Sequence, residues 1–246
     1  MLTEPTLEKL KTLRLDACAA AWLAQQQDPA LTAVPFDERL GLLVEAEWLA
    51  RENRRLTNAL REAKLRLSQA CLEDIDYAPR RALDKALVRQ LATCRWVHEH
   101  HNILISGMTG TGKSYVACAL AQQACRQGYR ALYRRVPRLY EELTLTHADG
   151  SYIRLLARFA RVDVLILDDF ALGPLPEHGR RDLLEILEDR TGTRATIVTS
   201  QLPPGTWHDY VADPSLADAL CDRLLHPAHR LALQGPSRRK EASPDS

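Results

Sequence analysis

The stretch Gly107-Met108-Thr109-Gly110-Thr111-Gly112-Lys113-Ser114 sets glycines, a lysine and a hydroxyl at the spacing G-x-x-x-x-G-K-[ST]. Glycines let a tight loop aim successive backbone N–H groups at phosphate oxygens, and a helix starting there adds a positive dipole. In that chemistry Lys113 neutralises the β and γ phosphates of a bound ATP, and the Ser114 hydroxyl is a ligand for Mg2+, with Tyr115 closing the cradle. The chain has six lysines, and Lys113 is the only one between Lys85 and Lys240. A lysine kept there amid arginines suits a position where a guanidinium fits poorly.

Two further strings supply the groups such a loop needs. Val164-Leu165-Ile166-Leu167 reads as a buried strand that delivers Asp168 and Asp169 to its C-terminal end, the edge where open parallel sheets bind ligands. Asp168 is placed to hold Mg2+ directly or through water, and Asp169 to orient and deprotonate an attacking water. Standing alone, two acids after a strand are more simply a solvated cap; the upstream phosphate loop favours the nucleotide reading. At Ile197-Val198-Thr199-Ser200-Gln201, Thr199 is the preferred sensor of the γ phosphate, with Ser200 and Gln201 beside it. A plain strand-to-turn exit accounts for that stretch nearly as well.

The elements that must position these groups follow from periodicity. Strands are expected at Ile103–Ser106, Ala131–Tyr133, Val162–Leu167 and Ala195–Thr199. Between them run helices near 114–126, 138–145, 153–159 and 177–189, with another at 216–225. The alternation predicts an α/β parallel sheet with helices on both faces. Upstream, leucines recur at helical spacing from Thr3 to about Ser68, broken between Pro29 and Pro35, and a further helix opens with Leu83, Leu87 and Leu91 and ends near His98 to His101. The expected organisation is a small all-helical N-terminal domain (1–72), an ATPase domain (73–235) and a basic, disordered tail (236–246).

Composition excludes several classes. Lys+Arg 33 against Asp+Glu 32 rules out a bulk polycation, so any anion is gripped locally. The sequence contains no apolar run of membrane-spanning length and opens without a secretory signal, so the protein is expected in the cytoplasm, away from membranes. The six cysteines form no C-x-x-C pair, which indicates reduced thiols and no zinc site.

The order of features resembles the IstB-like ATP-binding proteins, helper ATPases of insertion-sequence transposition related to DnaC-type helicase loaders within the AAA+ class of P-loop NTPases. The resemblance rests on Arg39-Leu40-Gly41-Leu42-Leu43, Ala46-Glu47-Trp48, Arg51-Glu52-Asn53-Arg54-Arg55-Leu56, Glu73-Asp74-Ile75-Asp76-Tyr77 and the phosphate loop. It continues through Ala148-Asp149-Gly150-Ser151-Tyr152, Asp182 to Arg190, Thr199 to Pro203, and Asp213 to Asp218 with Asp222-Arg223-Leu224. It implies an ATP hydrolase that forms a homo-oligomer on double-stranded DNA and hands a target site to a cognate transposase. It further implies that Arg223 reaches a neighbouring subunit's γ phosphate and that Arg239, after Ser237-Arg238, contacts nucleotide in its own subunit, although the family usually has methionine where Arg238 stands. Without the resemblance, Arg223 reads as a solvated helix arginine. Many AAA+ enzymes have Asp-Glu where this chain has Asp168-Asp169, and the shorter acid implies slow hydrolysis.

For DNA, Arg51 to Arg66 carries six basic side chains against two acids. Arg51, Arg54, Arg61 and Lys64 fall along one helical face, with Arg55 adjacent, while Leu49, Leu56, Leu60 and Leu67 cover another. A solvated face explains the run equally well. A second cluster, Arg130, Arg134, Arg135 and Arg138, flanks the second strand. The alternatives to a transposition ATPase are a replicative helicase loader with the same core, or a P-loop small-molecule kinase indifferent to DNA.

Overall fold

The computed structural model describes residues 3–237. It divides into two compact units, one up to Asn58 and one from Ala59 onward, so the division falls inside a helix.

The first unit is helical. It contains α1 (Thr3–Thr12), α2 (Asp16–Gln27), the short α3 (Pro29–Thr32) and most of α4 (Phe36–Ala63). Asp28 caps α3, its carboxylate accepting from the Ala30 N–H at 2.9 Å, with Pro29 at the first helical position. The start of α2 has no cap of its own, and Glu47 supplies one from α4: its Oε2 accepts from the Ala17 N–H at 3.0 Å and the Cys18 N–H at 3.2 Å. Arg51 steadies that carboxylate, with Nε 2.8 Å from Glu47 Oε1, and donates from Nη2 to the Arg14 carbonyl.

In the second unit a single helix was expected across 83–101. The chain instead forms α5 (Lys85–Ala92) and α6 (Arg95–His98), because Asp84 caps α5 by accepting from Ala86 and Leu87 N–H groups and Cys94 breaks the path at φ 57°. The chain then alternates as expected: β1 (Asn102–Gly107), α7 (Lys113–Arg126), β2 (Ala131–Arg135), α8 (Val136–Asp149), α9 (Tyr152–Arg161), β3 (Val164–Phe170), α10 (Glu177–Arg190) and β4 (Ala195–Ser200). Short α11 (Trp207–Val211) and α12 (Pro214–Leu225) follow, and the last element among the described residues is a strand the periodicity does not reveal, β5 (Ala228–Leu233). All five strands are parallel in the order β2-β3-β4-β1-β5.

One face of the sheet buries Leu132, Leu165 and Leu167 against Leu139, Phe159, Leu183 and Leu220 of the covering helices. The central strands are sealed on both sides, which is why β3 opens on four consecutive apolar residues and why β4 buries Thr196, Thr199 and Ser200 along with its apolar side chains. Asn102 pins the end of α12 to this sheet: its side-chain N–H donates to the Arg223 carbonyl at 2.8 Å while its oxygen accepts from the Thr196 N–H at 2.9 Å. Arg190, 1% exposed, performs a similar service, donating to the carbonyls of Phe159, Val162 and Ala195 and to the Thr196 hydroxyl.

Among the described residues no helix is long and apolar enough to cross a membrane. All six cysteines are free, and Cys94, Cys118 and Cys125 are buried, with thiols that burial pushes up to about 11.

Candidate functional site: a phosphate loop facing an acid pair

The sheet order puts β4 between β1 and β3, so the loop after β1 and the acids on β3 face each other across one strand end. In the loop, Gly107, Gly110 and Gly112 adopt φ of 150°, 85° and 100°, values that side chains rarely tolerate. A Cβ on Gly107 would collide with the Leu233 carbonyl, and one on Gly110 with Ser237, so both positions are restricted by contact as well as by torsion. Thr111 closes the loop by donating to the Met108 carbonyl at 2.8 Å. The Lys113 ammonium, nearly buried, donates to the carbonyls of Gly107 at 2.7 Å and Met108 at 2.9 Å. It therefore stands at the centre of the loop. The Tyr115 hydroxyl makes long contacts of 3.4 Å with the Cys71 backbone, and Tyr115 lines the same hollow as Thr109.

The acid pair lies where the β3–β4 register slips, between Leu167 and Phe170. Such a slip re-aims side chains, and Asp169 sits at φ 60°. Asp168 points inward and is fully buried. Three hydroxyls surround it: Ser114 donates at 2.8 Å, Thr199 at 2.5 Å and Tyr133 at 2.5 Å. Burial, then the Asp168 carboxylate, push the Tyr133 hydroxyl well above its ordinary pKa, so it remains a donor. Asp169 turns the other way, and Arg135 Nε donates to its Oδ2 at 2.7 Å.

The loop, Arg135 and Asp169 share a cavity of about 730 Å3, large enough for a nucleotide triphosphate tail, that is lined by Thr109, Lys113, Ser114 and Gln201 among others. The glycine cradle fits phosphate, and Ser114 with Asp168 forms a hard-oxygen donor set of the kind magnesium takes.

The structure therefore gathers Gly107 to Tyr115, Asp168, Asp169 and Thr199 at one strand edge. Thr199 is fully buried, gives its hydroxyl proton to Asp168 and accepts the Asp169 N–H at 3.1 Å; of the three residues at that strand end, Gln201 lines the cavity. Arg223 stands apart on α12, donating to the Ala219 carbonyl and paired with Glu188 at 2.7 Å. Arg239 lies outside the described residues.

Of the basic residues proposed for DNA, Arg51 pairs with Glu47 and Arg55 lies 3.7 Å from Glu52, while Arg54 and Arg61 are exposed on α4. Lys64 does not continue that helical face: α4 ends at Ala63 and Lys64 turns the chain at φ 51°. The second basic cluster is partly committed inward, since Arg134 pairs with Glu142 at 2.7 Å and Arg135 with Asp169. Arg66 also lines this cavity, although in the sequence it sits in a basic run that looks like a single solvated face.

A parallel sheet with this strand order, a glycine loop between β1 and α7, and an acid pair on β3 define a P-loop NTPase of the AAA+ type. The chain belongs to the IstB-like ATP binding protein family, whose pattern it matches over residues 8–246. It is 48% identical over 240 residues to "Putative insertion sequence ATP-binding protein y4pL" of Sinorhizobium fredii, covering 98% of each chain. Its fold is similar to the crystal structure of DnaI, with a TM-score of 0.59 at 21% identity over 68% of this chain and 92% of that one. It is also similar to the DnaC helicase loader, with a TM-score of 0.55 at 20% identity over 67% of this chain and 97% of that one.

Proposed function

We propose that the protein is a DNA-dependent ATPase of an insertion sequence, which assembles as a homo-oligomer on duplex DNA with ATP and presents the target site to a partner transposase. The observation that carries the ATPase reading is the meeting of Ser114 with Asp168 at 2.8 Å, which joins the phosphate loop to the acid pair in one cavity. Family membership supplies the insertion-sequence context.

In this reading the loop N–H groups and Lys113 hold the β and γ phosphates of ATP, and the α7 N-terminus adds its dipole. Ser114 and Asp168 are the residues that would hold magnesium, which when bound neutralises phosphate charge. Tyr133 and Thr199 fix the Asp168 carboxylate in one orientation by donating to it. Asp169, turned away from that clamp, takes a proton from the water whose oxygen attacks the γ phosphorus, and ADP leaves with the electron pair of the broken P–O bond. Arg135 holds Asp169 through its 2.7 Å contact. Arg223 is assigned to the neighbouring subunit's γ phosphate, and Arg51, Arg54, Arg55, Arg61 and Lys64 to DNA phosphates, with Arg239 contacting nucleotide in its own subunit.

The test is steady-state ATP hydrolysis with and without duplex DNA. Stimulation by DNA supports the reading, while phosphate transfer from ATP to a nucleoside or metabolite with no response to DNA would replace it with a kinase. Pull-down of a replicative helicase in place of a transposase would favour a loader.

A further inference from the structure

Arg66 stands in the nucleotide cavity with an arrangement unlike that of its neighbours. Beyond the end of α4 and the turn at Lys64, its Nη1 lies 3.7 Å from Asp168 Oδ2 and 3.8 Å from Asp169 Oδ2. The two carboxylate distances are those of an ion pair without a hydrogen bond, whereas Arg135 grips Asp169 at 2.7 Å. Asp168 has little left to offer, since Ser114, Thr199 and Tyr133 already donate to it. The side chain of Arg66 is 41% exposed and follows the helix, so its guanidinium is attracted by the pair without being fastened to it.

We propose that Arg66 is a ligand for the terminal phosphate of the nucleotide held by its own subunit. The acid pair marks the γ end of the cavity, and Arg66 reaches across that end from outside the loop. A cation at Ser114 and Asp168 would repel the guanidinium, while a γ phosphate would offer several oxygens in the geometry a guanidinium fork matches. The side chain then needs only a local swing from carboxylate to phosphate. A diphosphate ends at the loop, short of this position, so Arg66 discriminates ATP from ADP. The competing role, a clamp that merely balances the acid charge, has no such preference.

The proposal rests on the ATP reading of the site, and the experiment separates the two. Fluorescent ATP and ADP analogues are titrated with Mg2+ into the full chain as wild type, Arg66→Ala, Arg66→Lys and Lys113→Ala, with circular dichroism melts of each. Loss of charge-assisted hydrogen bonds should weaken ATP binding by Arg66→Ala about 10- to 100-fold while ADP binding changes less than about twofold. Arg66→Lys, which keeps charge but loses the fork, should fall between, and it carries the test if the alanine variant melts early. Equal losses for ATP and ADP, or no loss for ATP in either variant, would overturn the assignment. If Lys113→Ala binds ATP as the wild type does, the ATP reading itself is wrong; if it loses binding while both Arg66 variants keep theirs, only the assignment of Arg66 fails.

Discussion

Asp168 takes three hydroxyl donors at once, and that crowding decides what each substitution around it does. Thr199→Val strips a donor from a buried carboxylate and an acceptor from the Asp169 N–H, so it should cost about 1–3 kcal/mol of stability in addition to slowing turnover. Thr199→Ser should restore both, and a denaturant melt set beside an ATPase assay distinguishes this from a pure sensor, whose loss leaves the melt unchanged. Lys113→Ala should reduce ATP affinity by about 100-fold or more, read by calorimetric titration. Asp169→Asn should keep ATP bound within about threefold and lower turnover by about 100-fold, consistent with loss of a general base; normal turnover would move the base elsewhere. Most of this site is legible in the sequence because eight adjacent residues encode the loop and four apolar residues announce the acid-bearing strand. Arg66 is not. Lys64 leaves the helix in a left-handed turn without glycine or proline to signal it, so Arg66 reads as one more residue of the α4 face.

At the scale of elements, caps and anchors carry the predictions. The Arg51 hydrogen bond holds the Glu47 carboxyl below the usual carboxylate range, burial opposes it, and the Cys18 and Ala17 N–H groups add to the lowering. A group with a depressed folded-state pKa contributes fully above its unfolded value and loses that contribution as pH falls through the carboxylate range. The N-terminal helices should therefore loosen in acid before the sheet does, and Glu47→Gln should flatten that pH dependence when helix content is followed from pH 7 to 3. Arg190→Ala leaves the Phe159, Val162 and Ala195 carbonyls without their donor inside the protein, an expected loss of about 3 kcal/mol or more in urea unfolding. Neither device is visible from periodicity. Glu47 looks like an ordinary α4 acid, and Arg190 like a basic residue ending a helix. The fifth strand is hidden for another reason: β5 pairs only with β1 at the sheet edge, and His229 and Arg230 deny it the apolar run that betrays the sealed strand β3.

Over the whole molecule, a formal net charge of +1 leaves no general attraction for DNA. Residues 1 to 100 carry 15 basic and 15 acidic groups, so even the region assigned to DNA is balanced. Two of its arginines face partners within the chain, Arg51 with Glu47 and Arg55 with Glu52, which trims the free charge further. On the proposed function, useful affinity would require many copies, each adding a few phosphate contacts, with ATP controlling how many assemble. Such an array should be sensitive to salt and to loss of nucleotide at once. Sedimentation velocity of the full chain with duplex DNA and a non-hydrolysable ATP analogue tests this account most directly. It predicts large assemblies only when both are present, lost with Lys113→Ala and unaffected by omission of a transposase. A chain that remains monomeric with both ligands bound would contradict it.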